Sequence, residues 1–170
     1  MGAGDTGLYV IMGVSGSGKS LIGAMLATAL DVAFVEGDDL HPADNVNRMA
    51  EGTPLTDDDR RGWLAAIAVR LREAHHARRG LVVSCSALKR SYRDILRSGG
   101  DSDVHFVYLA GSRALLAERM AQRRGHFMPA SLLESQLATL EEPSPDEQAW
   151  VCDIRETPDT IVADLVARAR

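Results

Sequence analysis

The sequence predicts an α/β fold in which helices cover both faces of a parallel β-sheet. Short apolar runs alternate with amphipathic stretches along the whole chain, as they do in successive βα units. A glycine-rich loop at residues 13–20 separates the first apolar run from the first amphipathic stretch, which is typical of an α/β nucleotide site. The chain has 170 residues, 45% of them hydrophobic, and this suits one domain. We therefore predict a single domain over residues 1–170, with residues 1–7 flexible.

The order of elements follows from the periodicity of apolar residues. Apolar runs with the length of buried strands lie at residues 8–12, 32–36, 81–84, 104–109 and 150–154. Helical spacing predicts helices at residues 19–30, 43–50, 57–79, 89–97, 113–123, 130–140 and 159–169. The helix at 57–79 has a clear beginning, because Thr56 and Asp59 form a capping-box pattern. Its apolar stripe of Trp63, Leu64, Ile67 and Leu71 is expected to be buried.

The most specific motif lies between the first strand and the first helix. It matches the phosphate-binding pattern G-x-x-x-x-G-K-[ST] with Gly13, Val14, Ser15, Gly16, Ser17, Gly18, Lys19 and Ser20. In such a loop, backbone N–H groups surround an anion, the lysine reaches the β- and γ-phosphates, and the final hydroxyl ligates Mg²⁺. The sequence therefore predicts a nucleoside triphosphate site with Mg²⁺. The alternative is a glycine-rich turn that binds nothing.

The predicted strand at residues 81–84 does not end in an acidic residue that could bind the metal. The nearest acidic residues by topology are Glu36, Asp38 and Asp39, after the second strand, where the carboxyl ends of strands form ligand sites. Side chains alternate in an extended segment, so Glu36 and Asp38 share one side. We expect Asp38 to accept or orient the proton of an attacking hydroxyl and Glu36 to contact the metal through water. Alternatively, these carboxylates only cap a turn.

A basic cluster follows the fourth strand. Arg119 and Arg123 are four residues apart and lie on one helical face. Two like charges so placed repel each other unless an anion lies between them, and a transferring phosphoryl group is such an anion. We expect both arginines to bind the triphosphate, Arg123 to take part in catalysis, and residues 123–131 to form a lid. The alternative is an ordinary basic end of a helix.

Composition excludes several classes of protein. The net charge of -5 argues against a general nucleic-acid or anionic-membrane binder. No apolar stretch approaches the roughly 20 residues that a membrane helix needs, and the first residues lack signal-peptide features, so we expect a cytoplasmic protein. Cys85 and Cys152 lie in apolar runs, which predicts buried reduced thiols.

Two further segments are far more specific than the phosphate loop: residues 37–42 (GDDLHP) and 85–94 (CSALKRSYRD). Together with residues 54–60 (PLTDDDR) and 125–127 (GHF), they show that the chain resembles the small bacterial-type gluconate kinases. These are P-loop carbohydrate kinases with a nucleoside-monophosphate-kinase-like, three-layer fold. The resemblance extends over residues 12–154.

The resemblance implies an activity and an architecture. It implies transfer of the γ-phosphoryl group of ATP to the C6 hydroxyl of D-gluconate, with Mg²⁺ required. It also implies a five-stranded parallel sheet in the order 2-3-1-4-5, a mobile lid and a homodimer.

Gluconate is a linear polyol with one carboxylate, so its pocket needs cations and hydrogen-bonding groups. The available cations beside the cleft are Arg48, Arg60 and Lys89, while His41 and Asp38 can bind hydroxyl groups. His41 has an alternative role as a residue packed for structural reasons.

Two other functions stay open at this point. The first is a kinase of another small hydroxy acid or of a nucleotide on the same scaffold. The second is a binding protein that uses ATP occupancy as a switch, although a basic lid has no purpose in a pure sensor.

Overall fold

The computed structural model describes residues 5–99, 104–122 and 130–170. Within these residues, five parallel strands form one sheet in the order β2-β3-β1-β4-β5. The strands are β1 (Leu8–Met12), β2 (Ala33–Glu36), β3 (Leu81–Ser84), β4 (Val104–Ala110) and β5 (Trp150–Asp153). The predicted α/β class and the strand order 2-3-1-4-5 are confirmed.

The helices of the described residues lie close to their predicted positions. They are α1 (Lys19–Leu30), α2 (Ala43–Ala50), α3 (Asp57–His76), α4 (Arg90–Arg97), α5 (Arg113–Gln122), α6 (Ala130–Thr139) and α7 (Pro158–Ala169). Helix α3 ends before the predicted residue 79 because the backbone of Arg78 has a φ of 55°, a left-handed conformation that stops a helix. None of these helices is long and apolar enough to cross a membrane.

The first strand lies at the centre of the core. All five residues of β1 are buried, since β3 and β4 flank the strand and the helices α1 and α3 contact it. The predicted stripe of α3 is buried as well, and Thr56 and Asp59 form the expected capping box. Cys85 and Cys152 are buried free thiols, and burial raises the pKa of Cys85 to about 12 and that of Cys152 to about 11.

The register of the strands brings the functional end of the sheet together. Ser84 of β3 is opposite Ile11 of β1 on one side and Glu36 of β2 on the other. Beyond the strands, the backbone N–H of Gly13 donates to the carbonyl of Ser86 at 3.3 Å. The phosphate loop and the segments that follow β2 and β3 therefore share one edge of the sheet.

A buried ion pair holds helix α4 in place. Arg93 Nε and Nη2 donate to the two carboxylate oxygens of Glu147 at 2.7 and 3.0 Å, and both side chains are about 1% exposed. Arg97 adds a bond to Glu147 at 2.5 Å, and Arg93 Nη1 donates to the carbonyl of Ala87 at 2.9 Å. The pair thus ties α4 both to the turn at Pro145–Glu147 and to the segment after β3.

Glu147→Gln is expected to destabilise the protein strongly at neutral pH. The substitution leaves the buried Arg93 charge without a counter-ion, which typically costs about 3–5 kcal/mol. Burial alone would raise the pKa of Glu147, but the bonds from Arg93 and Arg97 outweigh it and hold this pKa at about 2. The stabilisation that Glu147 provides relative to glutamine is therefore complete above pH 4.5, the ordinary pKa of this side chain. It is lost as the pH falls towards 2.

Urea unfolding of both proteins at neutral pH and at about pH 3 measures this difference in the free energy of unfolding. Asp146→Asn provides a control, because Asp146 forms an exposed pair with Arg90 and such pairs contribute little. Equal destabilisation by the two substitutions would contradict a dominant role for the buried pair.

Candidate active site

The phosphate loop requires glycine where the pattern has it. Gly13, Gly16 and Gly18 have φ angles of 149°, 86° and 95°, conformations that residues with a Cβ rarely adopt. At Gly16, a Cβ would also lie 2.9 Å from the carbonyl oxygen of Leu116. Helix α5 therefore packs directly against the loop.

Two side chains of the loop are suited to bind phosphate. The Oγ of Ser17 is buried and has no hydrogen-bond partner in the described part of the chain. A buried hydroxyl without a partner is uncommon, and in an anion-binding loop a phosphate oxygen would satisfy it. The ammonium group of Lys19 donates to the carbonyl of Val14 at 3.2 Å, which holds the lysine against the loop.

The carboxylate of Glu36 lies between the phosphate loop and strand β3. Ser20 Oγ donates to one of its oxygens and Ser84 Oγ donates to the other. The end of β3 therefore has a serine and not an acidic residue. Ser84 occupies that position and donates a hydrogen bond to Glu36 of the neighbouring strand β2.

A hydroxyl and a carboxylate in contact are the oxygen ligands that Mg²⁺ prefers. No group of three or more His, Cys, Asp or Glu side chains could hold a metal ion anywhere in residues 5–99, 104–122 and 130–170. The hydroxyl of Ser20 and the carboxylate of Glu36 would therefore suit a Mg²⁺ ion that is bound together with a nucleotide.

Asp38 reaches the site on a turn. The segment Gly37–Leu40 is a 3₁₀ helix, so the expectation of an extended segment with alternating side chains is wrong. The cause is contact with β3 and α3. A Cβ on Gly37 would lie 2.0 Å from the carbonyl oxygen of Ser84, and the indole Nε1 of Trp63 donates to the carbonyl of Gly37 at 2.8 Å.

A narrow pocket of about 40 Å³ lies beside the phosphate loop. Its lining combines Lys19 of the loop with Asp38, His41 and Arg60, the residues for which the sequence predicts roles in catalysis or substrate binding. A larger groove of about 570 Å³ lies at the amino ends of β1, β2 and β3 but contains no residue of the phosphate loop. The small pocket is therefore the candidate active site.

His41 has both a structural contact and a place in the pocket. Its ring stacks on Trp63 with the ring centroids 3.9 Å apart. Burial and the charge of Arg60 lower the pKa of His41 to about 4, so the ring is neutral at physiological pH. Asn45 Nδ2, which donates to the carbonyl of Asp59, lies 3.2 Å from His41 Nδ1. This contact makes Nδ1 the acceptor and leaves Nε2 as a donor.

Only one of the three predicted cations lies in the pocket lining. Arg48 is 47% exposed and pairs with Asp59 at 2.8 Å, while Lys89 is 30% exposed and pairs with Asp57 at 3.1 Å. Both lie outside the lining of the pocket, which includes Arg60.

The structure describes only one of the two arginines that are predicted to bind phosphate. Arg119 Nη2 donates to the carbonyl of Ile154 at 2.5 Å and so connects α5 to the turn after β5. Arg123 and most of the predicted lid at residues 123–131 lie outside the described residues. Contact of either arginine with ATP stays a prediction.

Three residues that directly contact this region have no site role predicted from the sequence. Gln136 Oε1 accepts from the backbone N–H of Ser15 at 2.7 Å, Tyr92 OH accepts from Arg60 Nη1 at 2.7 Å, and Ser84 bonds Glu36. A polar residue at the end of an apolar strand was a signal for Ser84. Tyr92 lies in the specific segment at residues 85–94, but neither it nor Gln136 has a local pattern that names its partner, because the partners lie 32 and 121 positions away.

A phosphate loop on a parallel sheet of this order, with Ser20 and Glu36 in contact beside it and Asp38 in one pocket with Lys19, defines the class of P-loop kinases. Residues 8–143 match the family model of the AAA domain. The chain is 51% identical to a gluconokinase of Gluconobacter oxydans over 92% of its own length and 88% of the relative. It is 41% identical to the thermoresistant gluconokinase of Escherichia coli, with coverage of 95% and 93%.

A solved structure agrees with these relatives. The crystal structure of a gluconokinase from Sinorhizobium meliloti 1021 superposes with a TM-score of 0.88 at 50% sequence identity, covering 98% of this chain and 93% of that one. The chain therefore contains an AAA domain and belongs to the gluconokinase family.

Proposed function

We propose that the protein phosphorylates D-gluconate at its C6 hydroxyl with ATP, giving 6-phospho-D-gluconate and ADP. The observation that carries the proposal is the pocket in which Lys19 of the phosphate loop meets Asp38, His41 and Arg60. Membership of the gluconokinase family supports the same substrate and the same phosphoryl donor.

The phosphate loop binds the phosphate groups of ATP. Its backbone N–H groups and Lys19 bind the β- and γ-phosphates, while Ser20 would ligate Mg²⁺ and Glu36 would contact the metal through water. When bound, the metal neutralises charge that develops on the phosphate oxygens. Arg119 and Arg123 complete the binding of the triphosphate, and Arg123 stabilises the charge of the transferring group.

Asp38 interacts with the hydroxyl group that accepts the phosphoryl group. The C6 oxygen attacks the γ-phosphorus, the bond from that phosphorus to the oxygen of ADP breaks, and Asp38 takes or orients the proton of the hydroxyl. Phosphoryl transfer has a loose transition state, so most of the rate enhancement comes from positioning and from charge stabilisation. Neutral His41 offers its Nε2 hydrogen to a hydroxyl group of the substrate.

Substrate binding requires the walls of the pocket to separate. The pocket of about 40 Å³ is far smaller than the roughly 300–1,000 Å³ of most ligand sites. One wall comes from α6, through Leu132, Ser135 and Gln136, and the predicted lid at residues 123–131 ends in the first turn of this helix. We therefore assign the opening to α6 and the lid together. The family resemblance also leads us to propose a homodimer in the cytoplasm.

A panel of acceptors tests the function. We expect D-gluconate to stimulate ADP release from ATP, and we expect ³¹P NMR of the product to show the phosphate on C6. Stimulation by glycerate or shikimate but not by gluconate would overturn the substrate. Strong turnover of a nucleoside monophosphate would indicate a different kinase, and ATP binding without any transfer would indicate a nucleotide-responsive binding protein.

A further inference from the structure

The three cations near the site differ in the partner that each one has. Arg48 and Lys89 each contact a carboxylate, at 2.8 and 3.1 Å. The guanidinium group of Arg60 instead donates from Nη1 to the phenol oxygen of Tyr92 at 2.7 Å. Among the described residues Arg60 forms no ion pair, although it lines the pocket. Its charge is therefore available to an anionic ligand.

The hydrogen bonds around Tyr92 have a defined direction. A phenol has one proton to donate, and Tyr92 donates it to Asp57 Oδ1. Towards Arg60 the phenol oxygen is therefore the acceptor. Lys89 Nζ reaches the same carboxylate at 3.1 Å, which gives a chain from Arg60 through Tyr92 to Asp57 and Lys89.

This chain places a neutral group between Arg60 and the carboxylate of Asp57. A carboxylate in direct contact would neutralise the guanidinium and compete with the substrate. The phenol instead keeps Asp57 one hydrogen bond away from Arg60. The charge of Arg60 also acts on another residue of the pocket lining, because it contributes to the lowered pKa of His41.

Tyr92 is itself held rigidly. Its side chain is buried, and the next residue, Arg93, forms the buried pair with Glu147. The guanidinium carbon of Arg60 lies 5.4 Å from the centroid of the Tyr92 ring, so the ring face adds a cation–π contact. The rotamer freedom of the arginine is thus lost on folding and not on binding.

We propose that Tyr92 is a positioning residue that holds the uncompensated guanidinium of Arg60 in the pocket as the binding group for the substrate's carboxylate. Arg60, and not Arg48 or Lys89, then distinguishes a sugar acid from a neutral polyol. The inference rests on the proposed function, since it names the group that recognises the acid end of gluconate.

Tyr92→Phe tests the inference, because it keeps the ring and removes the oxygen that connects Arg60 to Asp57. We expect the KM for gluconate to rise about tenfold, with kcat changed less than about twofold and the KM for ATP unchanged. Tyr9→Phe is the matched control. Tyr9 is also buried and its hydroxyl bonds Asp5 at 3.1 Å, but it lies in β1, away from the pocket lining.

A double-mutant cycle separates positioning from a general structural role. In an Arg60→Gln background, where KM is already raised, we expect Tyr92→Phe to change KM less than about twofold. An equal rise in both backgrounds would overturn the inference, as would an unchanged KM or a loss confined to kcat. If Tyr92→Phe unfolds, Asp57→Asn loosens the other end of the chain and should raise KM about threefold; an unchanged KM there overturns the inference.

The failure of the inference and that of the proposed function are distinguishable. A native enzyme that does not phosphorylate gluconate would overturn both. A native enzyme that does so, with a Tyr92→Phe variant of equal KM, would overturn the inference alone.

Discussion

Asp38→Asn is expected to bind ATP nearly as tightly as the native enzyme and to lose roughly 10²–10⁴-fold in kcat. The amide has almost the same shape as the carboxylate, so the turn at Gly37–Leu40 and the bond from Trp63 to Gly37 are retained. The amide cannot accept the proton of the C6 hydroxyl at neutral pH. A coupled assay of ADP release measures kcat, and calorimetric titration measures the affinity for ATP.

Asp39→Asn is the matched control for this prediction. Asp39 lies on the same 3₁₀ turn and is also exposed, but it is outside the pocket lining. We expect its kcat to stay within about twofold of the native value. Unchanged turnover in Asp38→Asn would remove Asp38 from its proposed role, and equal losses in both variants would point to the turn itself.

Lys19→Met is expected to weaken ATP binding and turnover together, with a loss of roughly 10²–10³-fold or more in kcat/KM. Methionine lacks the ammonium group that neutralises the β- and γ-phosphates in both the bound state and the transition state. Steady-state kinetics with varied ATP and a direct titration of ATP measure the two effects.

Arg61→Met controls for the loss of one positive charge. Arg61 lies on the surface of α3, where its 72% exposed side chain pairs with Asp58, and we expect native kinetics from this variant. Normal activity of Lys19→Met would contradict the assignment of the phosphate loop.

Local signals in the sequence were sufficient for the scaffold. Apolar runs predicted the strands to within one residue at each end, because a strand buried on both faces needs continuous apolar residues. The phosphate loop was equally visible, since its glycines have backbone angles that other residues rarely adopt. The family resemblance then supplied the strand order and the activity.

The candidate site was predicted less completely. Asp38 lies in the pocket, but by way of a 3₁₀ turn and not by the alternation of an extended segment. Arg48 and Lys89 have the right charge, yet each forms an ion pair with a carboxylate in the first turn of α3 and lies outside the pocket lining. Periodicity reports which side of an element a residue occupies and does not report its partner.

The sequence by itself determined the class of fold, the phosphate loop and the family, because each depends on residues that are neighbours in the chain or repeat at short intervals. Only the tertiary structure decided which residues act together. The bond from Ser84 to Glu36 spans 48 positions, and the bond from Arg60 to Tyr92 spans 32. Such contacts exist only after the strands have aligned in register and the helices have packed on them, so short-range patterns cannot reveal them.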